Sequence, residues 1–355
     1  MRAVVLVGGF GTRLRPLTFT TPKPLLPVGH VPIVELVVGS LARAGITEAV
    51  LAIGFKPDVF RAAYPDGICA GVPLVYAVEP EPLDTAGAIR FAASHAGIDD
   101  TFVVVNGDIL TDLDVSSLVA FHRDRGAEAT LHLTPVEDPS AFGVVPTDEE
   151  GRVLAFIEKP TREEAPTNLI NGGTYVIEPS VVDRIASDRK VSIERETFPA
   201  VVERASLYAM ATDDYWLDTG RPELYLQANF DVLDGKRRHD RCEPLGVGAA
   251  ARPGSTVTHS VIGAGGVVAE GAAVVDSVLL SDVVVGSQAV VRSSVIGTSS
   301  VVGSGALVQD AVTSALIQDL EPGPRSAGLR PPPPRHRRSR RPARAHRIRP
   351  RCLCR

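Results

Sequence analysis

The chain has 355 residues, of which 44% are hydrophobic, 22% charged and 5% aromatic. This length suggests about two domains, and a composition near the globular average excludes collagen, wholesale disorder and a disulfide-rich miniature scaffold. No run of about 18 apolar residues is present, so we expect no transmembrane helix. The N-terminal MRAVVLVGG lacks a cleavage region and is interpreted as a first strand. The cysteines lack metal-site spacing, which favours a reduced, cytoplasmic protein; they are Cys69, Cys242, Cys352 and Cys354.

Charge is distributed unevenly along the chain. Residues 321–355 contain 12 Arg, 8 Pro and a single acidic residue, whereas residues 1–320 carry 41 acidic and 25 basic residues, a net charge of −16. An anionic ligand of this acidic body would need a few well-placed cations rather than a general basic field. Two of the five lysines, Lys23 and Lys159, lie inside the motifs described below.

Residues 1–235 alternate short β-branched apolar runs with amphipathic stretches. The predicted strands are 3–7, 49–53, 74–78, 102–105 and 129–134, and the predicted helices are 32–44, 85–96 (with Thr85 as N-cap) and 115–125. Shorter strands at 142–146, 153–158, 172–177 and 206–210 and a helix at 221–233 are predicted to pack onto the same sheet as an insertion. This order predicts an α/β fold with a doubly wound, mixed but mostly parallel sheet, in which ligands bind at the carboxyl ends of strands.

After a polar linker at 236–246, residues 247–320 change character. Aliphatic residues recur there every five or six positions, with Gly, Ala, Ser and Asp between them. This pattern is typical of hexapeptide repeats and predicts a left-handed parallel β-helix with about 18 residues per turn and about three turns. An irregular set of sandwich strands is the alternative.

The Pro/Arg-rich segment 321–355 cannot bury enough apolar surface to fold alone, so we expect a disordered tail. Three interpretations stay open. The tail could bind RNA or a membrane surface, it could simply be solvated, or it could be an out-of-frame translation of GC-rich DNA, which its lysine-free composition favours.

The strongest chemical signal is the string LVGGFGTRLRPLTFTTPKPLLPV at residues 6–28. A strand ends in glycines, which let backbone N–H groups approach phosphates and a flat base. The string is neither a dinucleotide fingerprint nor a P-loop, because Leu14 replaces the third glycine and no Gly-Lys-Ser/Thr is present. Arg13 and Lys23 then provide cations, and a tight turn with solvated cations is the alternative.

This string closely resembles the G-x-G-T-R-L-x-P-L-T-x-x-x-P-K-P-L signature of sugar-1-phosphate nucleotidyltransferases. The family joins a nucleoside triphosphate to a sugar 1-phosphate and releases pyrophosphate. The resemblance implies that the nucleotide is bound by Val7, Gly8, Gly9, Gly11, Thr12, Arg13 and Lys23. It also implies that Arg13, Lys23 and Asp108 are the catalytic residues.

Further motifs complete the implied site. Asn106-Gly107-Asp108 follows an apolar strand, and the resemblance pairs Asp108 with Asp218 as ligands of one Mg²⁺, a cation that prefers oxygen ligands. It also implies sugar-phosphate binding by Asp108, Gly143, Glu158, Lys159 and Asn171. The structural alternatives are a turn at Asp108, a helix N-cap at Asp218, an exposed Glu158–Lys159 ion pair and a bulge at Gly143.

The segment EPEPLDTAG, residues 79–87, implies nucleobase binding by Asp84, Thr85 and Gly87. Guanylyltransferases and some thymidylyltransferases carry Gly where this chain has Asp84. Aspartate tolerates a left-handed backbone better than most residues, so we expect the loop to keep its conformation with aspartate in place of glycine. The Asp84 carboxylate could accept from guanine or face solvent.

These features predict a cytoplasmic, Mg²⁺-dependent guanylyltransferase of nucleotide-sugar biosynthesis that uses GTP and mannose 1-phosphate. Close alternatives keep the chemistry with a heptose, glucose or valienol phosphate, or with thymidylyl or adenylyl transfer. Two other classes are a hexapeptide acyltransferase with His259 as base and a non-catalytic nucleotide-sugar binder. The β-helix favours a homo-oligomer, and no nucleic-acid or membrane partner is expected.

Overall fold

The computed structural model describes residues 1–313 and 346–347. The predicted tail therefore lies outside the described residues, apart from the short strand His346–Arg347. The chain divides into two compact units. The first consists of Met1–Phe10, Pro22–Leu26 and Pro32–Asp218, and the second of Gly11–Thr21, Pro27–Val31 and the chain from Thr219 onward.

A 10-stranded mixed sheet forms the centre of the first unit. Eight strands follow the order Ile157–Glu158, Gly143–Val144, Leu169–Ile177, Phe102–Asn106, Arg2–Leu6, Glu48–Ile53, Val72–Val78 and Ile68–Cys69. Ala129–Pro135 pairs with Leu169–Ile177 on one side and with Leu207–Ala211 on the other. The predicted fold class of this part of the chain is confirmed.

The central strands are parallel and buried on both faces, as their continuous β-branched character predicts. Val4, Val50 and Val104 are all 0% exposed. The chain adds three strands on one side of Arg2–Leu6 and then crosses to place Phe102–Asn106 on its other side. The switch point of the sheet therefore lies between these two strands, and ligands of doubly wound sheets bind just beyond such a point.

Helices connect and cover these strands. The α-helices are Ile33–Arg43, Pro57–Ala63, Asp84–His95, Val115–Arg125, Pro179–Asp183, Phe198–Glu203 and Pro222–Leu233. Shorter turns are Thr12–Leu14, Leu17–Phe19, Lys23–Leu25, Pro139–Ala141 and the π-helical Ile193–Thr197. Among the described residues, no helix is both long and apolar enough to cross a membrane.

The segment predicted as an insertion extends the same sheet. Leu169–Ile177 runs antiparallel to Phe102–Asn106, which brings the later strands beside the carboxyl edge of the parallel core. Two further strands, Ile109–Thr111 and Trp216–Asp218, form a separate antiparallel pair.

The second unit contains the stacked parallel strands of the predicted β-helix. One face stacks Ala250–Ala251, Val267–Val268, Val284–Val285 and Val301–Val302; the next stacks Thr256–Thr258, Ala273–Val275, Val290–Arg292 and Leu307–Gln309. The third stacks Val261–Ile262, Val278–Leu279, Val295–Ile296 and Ala311–Thr313, with His346–Arg347 at its edge. The inward aliphatic side chains form one core, in which Ile262, Val268 and Val274 are 0% exposed.

The predicted repeat length of the β-helix is wrong by one residue. Equivalent positions are 17 residues apart, and each face stacks four strands in the described chain rather than about three turns. One corner is only two residues long, and it is fixed by buried serines: Ser277 N–H donates to Ser260 Oγ at 3.0 Å, and Ser294 N–H donates to Ser277 Oγ at 3.1 Å. The aliphatic spacing alone does not reveal that one side of each turn is shorter.

Candidate active site

The glycine segment begins at the carboxyl end of the first strand, beside the switch point. Gly8 lies against the end of the neighbouring strand, because a Cβ there would stand 3.1 Å from Gly54 N and 3.2 Å from Glu79 Oε1. Only glycine fits this close approach without displacing a neighbour. Val7 is buried at 1% exposure, whereas Gly9 is exposed. The carboxyl edge of the sheet therefore exposes the backbone of Gly9, and a carboxylate lies close to Gly8.

That carboxylate belongs to Glu79, which the sequence analysis includes in the base-binding segment but gives no role. Its Oε2 accepts from Leu83 N–H at 3.0 Å. Burial raises the pKa of Glu79 above its ordinary value, and the hydrogen bond from Leu83 opposes this shift. Glu79 therefore holds the loop that leads to Asp84 and still presents Oε1 toward the glycines.

The remaining predicted base-binding residues begin a helix. Asp84 has the expected left-handed backbone, with φ of 62°, and its side chain is exposed and accepts from Thr85 N–H at 2.8 Å. The prediction of Thr85 as N-cap is wrong: the helix begins at Asp84, and Leu83 precedes it without a side-chain cap. Val191 O instead accepts from Ala86 N–H at 2.9 Å, so a tertiary contact replaces the cap.

Thr85 and Gly87 have structural partners. The Thr85 hydroxyl donates to Glu194 Oε2 at 2.9 Å and accepts from Ile193 N–H at 2.8 Å. A Cβ on Gly87 would stand 2.8 Å from Leu83 Cβ. Glu194 lies 109 residues from Thr85 in the chain, so no local sequence pattern connects the two residues.

Gly11, Thr12 and Arg13 belong to the second unit. Gly11 has φ of 58° and opens a short turn at Thr12–Leu14, and Thr18 Oγ1 donates to Gly11 O at 2.8 Å. This turn buries Leu14 and leaves Thr12 and Arg13 exposed.

Lys23, Asp108 and Asp218 come together within the first unit. Lys23 Nζ is 2.7 Å from Asp108 Oδ2 and 3.3 Å from Asp218 Oδ1. The lysine side chain is 7% exposed, whereas the two carboxylates are 37% and 26% exposed. Two half-exposed carboxylates therefore converge on one buried ammonium, although they lie 110 residues apart in the chain.

The donor set at this point fits a hard divalent cation. Carboxylate oxygens are the protein ligands that Mg²⁺ prefers, and it completes its coordination with substrate phosphate oxygens and water. The ammonium of Lys23 shows that the two carboxylates can share one positive charge. Among the described residues there is no cluster of three or more His, Cys, Asp or Glu that could hold a metal, so this pair would rely on such additional oxygens.

Asp218 reaches this point on the short strand Trp216–Asp218, which pairs with Ile109–Thr111. The alternative of Asp218 as a helix N-cap is wrong, because the residue before the helix Pro222–Leu233 is Arg221. Trp216 anchors the strand: its Nε1–H donates to Gly172 O at 2.9 Å, and its ring meets Phe142 edge-on with centroids 5.6 Å apart.

The predicted sugar-phosphate residues lie on the adjoining strands. Gly143 pairs in register with Glu158, and a Cβ on Gly143 would stand 2.6 Å from the Phe156 ring. Lys159 Nζ is 2.8 Å from Glu158 Oε1, and the lysine side chain is 58% exposed. The ion pair at a strand end is thus present, with a cation that remains accessible to an anion.

Asn171 lies one strand further in. Its Nδ2 donates to Tyr175 OH at 2.8 Å, and its Oδ1 accepts from Gly173 N–H at 3.0 Å. Burial raises the pKa of Tyr175, so its phenol stays protonated. These bonds hold Asn171 at a bulge where the pairing with Ala129–Pro135 shifts register.

Opposite this bulge lies His132, a buried residue that the sequence analysis does not single out. It is 0% exposed, and its Nε2 is 3.0 Å from Thr212 Oγ1. Burial lowers the pKa of His132 to about 4, against a weaker opposing effect of Asp214.

We expect this histidine to make stability depend on pH. Its folded-state pKa lies below the unfolded value, so its contribution is complete above about pH 6.5 and is lost as the pH falls toward 4. Between pH 7.5 and pH 5, the free energy of unfolding should fall by about 2 kcal/mol more in the wild type than in His132→Gln. Urea titrations followed by the fluorescence of Trp216 would measure the difference, and equal pH slopes in both proteins would contradict it.

Comparisons with known proteins agree with this architecture. Residues 2–235 match the nucleotidyl transferase family, and residues 237–316 match the GlmU-like, C-terminal hexapeptide family. A crystal structure of HddC from Yersinia pseudotuberculosis complexed with GMP-PN is similar at a TM-score of 0.55 and 26% identity, and the match covers 64% of this chain and 97% of that one.

Curated relatives are more similar in sequence. A mannose-1-phosphate guanylyltransferase of Mycobacterium tuberculosis is 43% identical over 74% of this chain and 75% of the relative. A mannose-1-phosphate guanyltransferase of Schizosaccharomyces pombe is 42% identical over 67% of this chain and 66% of its own length. The family resemblance predicted from the glycine-rich string is confirmed: this chain belongs to the nucleotidyl transferase family and continues into a GlmU-like hexapeptide β-helix.

Proposed function

We propose that this chain transfers a guanylyl group from GTP to mannose 1-phosphate, giving the nucleotide sugar and pyrophosphate. The names of the two curated relatives support this choice of substrates. The observation that carries the proposal is the convergence of Lys23, Asp108 and Asp218 in a unit whose glycine segment opens at the switch point. Such an arrangement suits the meeting of two phosphate-bearing reactants.

In the proposed reaction, an oxygen of the sugar phosphate attacks the α-phosphorus and pyrophosphate leaves in line. Catalysis of this kind depends on positioning and charge stabilisation rather than on covalent chemistry by the protein. Mg²⁺ held by Asp108 and Asp218 would neutralise phosphate charge. Lys23 would hold the nucleotide phosphates, and Lys159, at the exposed strand end, would hold the phosphate of the sugar.

Sugar hydroxyls would be bound by Glu158 and Asn171. A carboxylate accepts from hydroxyl groups, and an amide can both donate and accept. Gly143 pairs with Glu158, and the Phe156 ring fills the space that a side chain at position 143 would need, so Gly143 would contact the sugar through its backbone.

For the base, we propose that Glu79 rather than Asp84 accepts from guanine. Guanine presents two donors on one edge, N1–H and N2–H, and a carboxylate is the side chain that can accept both. Glu79 is half-buried and its Oε1 lies behind Gly8, whereas Asp84 is exposed and its Oδ1 accepts from Thr85 N–H. A partly desolvated carboxylate discriminates better, because a base without matching donors leaves its Oε1 without a hydrogen bond.

We expect Glu79→Gln to lower kcat/KM for GTP by about 10- to 100-fold, because the glutamine amide sets an N–H₂ against the guanine donors. The KM for mannose 1-phosphate should stay within about twofold. Steady-state pyrophosphate release with GTP and ITP would test this, because ITP lacks the N2 amino group and should lose less. Glu81→Gln, at a neighbouring exposed position, is the matched control, and equal losses in both variants would contradict the assignment.

A substrate panel tests the function itself. Purified protein would be incubated with GTP, dTTP, ATP or UTP and with the 1-phosphates of mannose, glucose, a heptose or valienol, and pyrophosphate release would be measured. We expect GTP with mannose 1-phosphate to give the highest kcat/KM. A preference for another pair would keep the reaction and replace the substrates, and no turnover with any pair would overturn the proposal.

We further propose that residues 1–235 are the catalytic domain, that 236–246 are a linker, and that the β-helix at 247–320 supports a cytoplasmic homo-oligomer. An outward column of Val267, Val284 and Val301 runs along one face of the β-helix, and Val284 is 39% exposed. Light scattering would give the oligomeric state, and a monomer at micromolar concentration would refute the assembly.

A further inference from the structure

The strand Leu169–Ile177 is interrupted where it faces His132. Its pairing with Ala129–Pro135 aligns Asn171 with Leu133 and Tyr175 with Leu131, so three residues, 172–174, oppose the single His132. A bulge of this kind redirects the side chains beside it. Asn171 is the last paired residue before the bulge, and its side chain is bonded to Tyr175 and Gly173 across it.

The imidazole of His132 occupies the volume that a side chain at position 172 would need. A Cβ on Gly172 would collide with Nδ1 of His132, and it would stand 3.0 Å from the backbone O and 3.1 Å from Cε1 of the same residue. His132 Nδ1 is buried and has no hydrogen-bond partner within the described residues. The ring therefore meets the backbone of the bulge through packing, while Nε2 is tied to Thr212.

The same glycine is linked to the carboxylate pair. Gly172 O accepts the indole N–H of Trp216, and Trp216 begins the strand that ends at Asp218. On its other side, Gly172 follows Asn171, whose amide is held by Tyr175 and Gly173. A shift of the Gly172 peptide would consequently move both Asn171 and the strand that carries Asp218.

We propose that His132 is a positioning residue of the sugar-phosphate site. By filling the space over Gly172, it fixes the bulge that orients Asn171 and supports Trp216 beside Asp218. The assignment of this site to the sugar phosphate rests on the proposed function. The packing of His132 against Gly172 does not depend on it. A neutral imidazole suits the role, because burial keeps the ring uncharged at neutral pH and a buried unpaired charge would be costly there.

The pair can be tested by a double-mutant cycle. Gly172→Ala introduces a methyl group that collides with His132, and His132→Ala removes the ring but leaves a cavity. The double variant removes the collision with the ring, although the backbone O of residue 132 stays close to the new methyl group, and it should regain part of what each single variant loses. His132→Gln, which can still reach Thr212, provides a less disruptive variant should His132→Ala fold poorly.

We expect Gly172→Ala to raise the KM for mannose 1-phosphate about 10-fold, with the KM for GTP changed less than about twofold. Trp216 is the chain's single tryptophan, so its emission reports the bulge directly and should shift to longer wavelength in Gly172→Ala. In the double variant, both the KM and the emission should move back toward the wild-type values. Additive losses without recovery, or equal increases in both KM values, would overturn the proposal.

His122→Asn is the matched control. His122 is also buried, at 1% exposure, but it is bonded to Thr130 and Glu178, away from the bulge. It should lower the midpoint of thermal unfolding without changing either KM or the emission of the folded protein. Should the substrate panel show no turnover with any sugar phosphate, the proposed function would fail, whereas the fluorescence cycle would still decide whether His132 positions Gly172 and Trp216.

Discussion

Asp108→Asn is expected to reduce kcat by about 10³-fold while leaving the fold intact. The substitution preserves shape but removes a negative charge from the pair that we propose to hold Mg²⁺, and removing one well-placed electrostatic contact commonly costs about 10²- to 10³-fold. Because Asp108 Oδ2 is also 2.7 Å from Lys23 Nζ, the variant leaves the buried ammonium with Asp218 and a neutral amide. Pyrophosphate release at increasing Mg²⁺ concentration would measure the loss, and circular dichroism would verify the fold.

The control for this variant is Asp99→Asn. Asp99 also pairs with a cation, Arg2, at 3.0 Å, but its side chain is 91% exposed, and exposed pairs contribute little to stability. It should retain wild-type activity. An Asp108→Asn protein that turns over substrate at more than about a tenth of the wild-type rate would rule out the proposed metal role of this carboxylate.

The parallel core could be predicted from sequence because its strands are buried on both faces and read as continuous aliphatic runs. The same reasoning fails for short outer strands. Gly143–Val144 and Ile157–Glu158 are two residues long where five or six were predicted, since their partners, rather than their own hydrophobicity, decide where pairing ends. The 17-residue turn of the β-helix was missed for a related reason: the shorter corner depends on serines that bond between successive turns.

The chemistry of the site was only partly visible in the sequence. Family motifs pointed to Lys23, Asp108 and Asp218, but their meeting depends on a strand pairing of Trp216–Asp218 with Ile109–Thr111 that no local pattern encodes. Glu79 was named only as the first residue of a loop, and the role that we propose for it rests on its burial and on the approach of Gly8. His132 gave no signal, because a lone histidine in an apolar strand looks the same whether it supports a bulge or merely fills the core.

Lys23→Met is expected to lower kcat/KM by about 10³-fold and to change how the protein responds to Mg²⁺. Lys23 is the cation between Asp108 and Asp218, so its loss leaves two neighbouring carboxylates without their shared counter-charge. Their repulsion should lower the midpoint of thermal unfolding in Mg²⁺-free buffer. Added Mg²⁺ relieves that repulsion, and a ligand that binds only the folded state stabilises it, so the midpoint should rise more on Mg²⁺ addition in Lys23→Met than in the wild type.

Lys236→Met is the control for the larger Mg²⁺ response, because it also removes a lysine that lies between two aspartates. Lys236 Nζ lies 2.7 Å from Asp231 Oδ1 and 3.5 Å from Asp234 Oδ2, a similar arrangement in the second unit with a half-exposed lysine. Activity should persist in this variant, and its response to Mg²⁺ should match that of the wild type. If Lys23→Met gained no more stability from Mg²⁺ than these two proteins, then Asp108 and Asp218 would not form a cation site when the ammonium is removed, and the proposed metal position would have to be abandoned even if activity were lost.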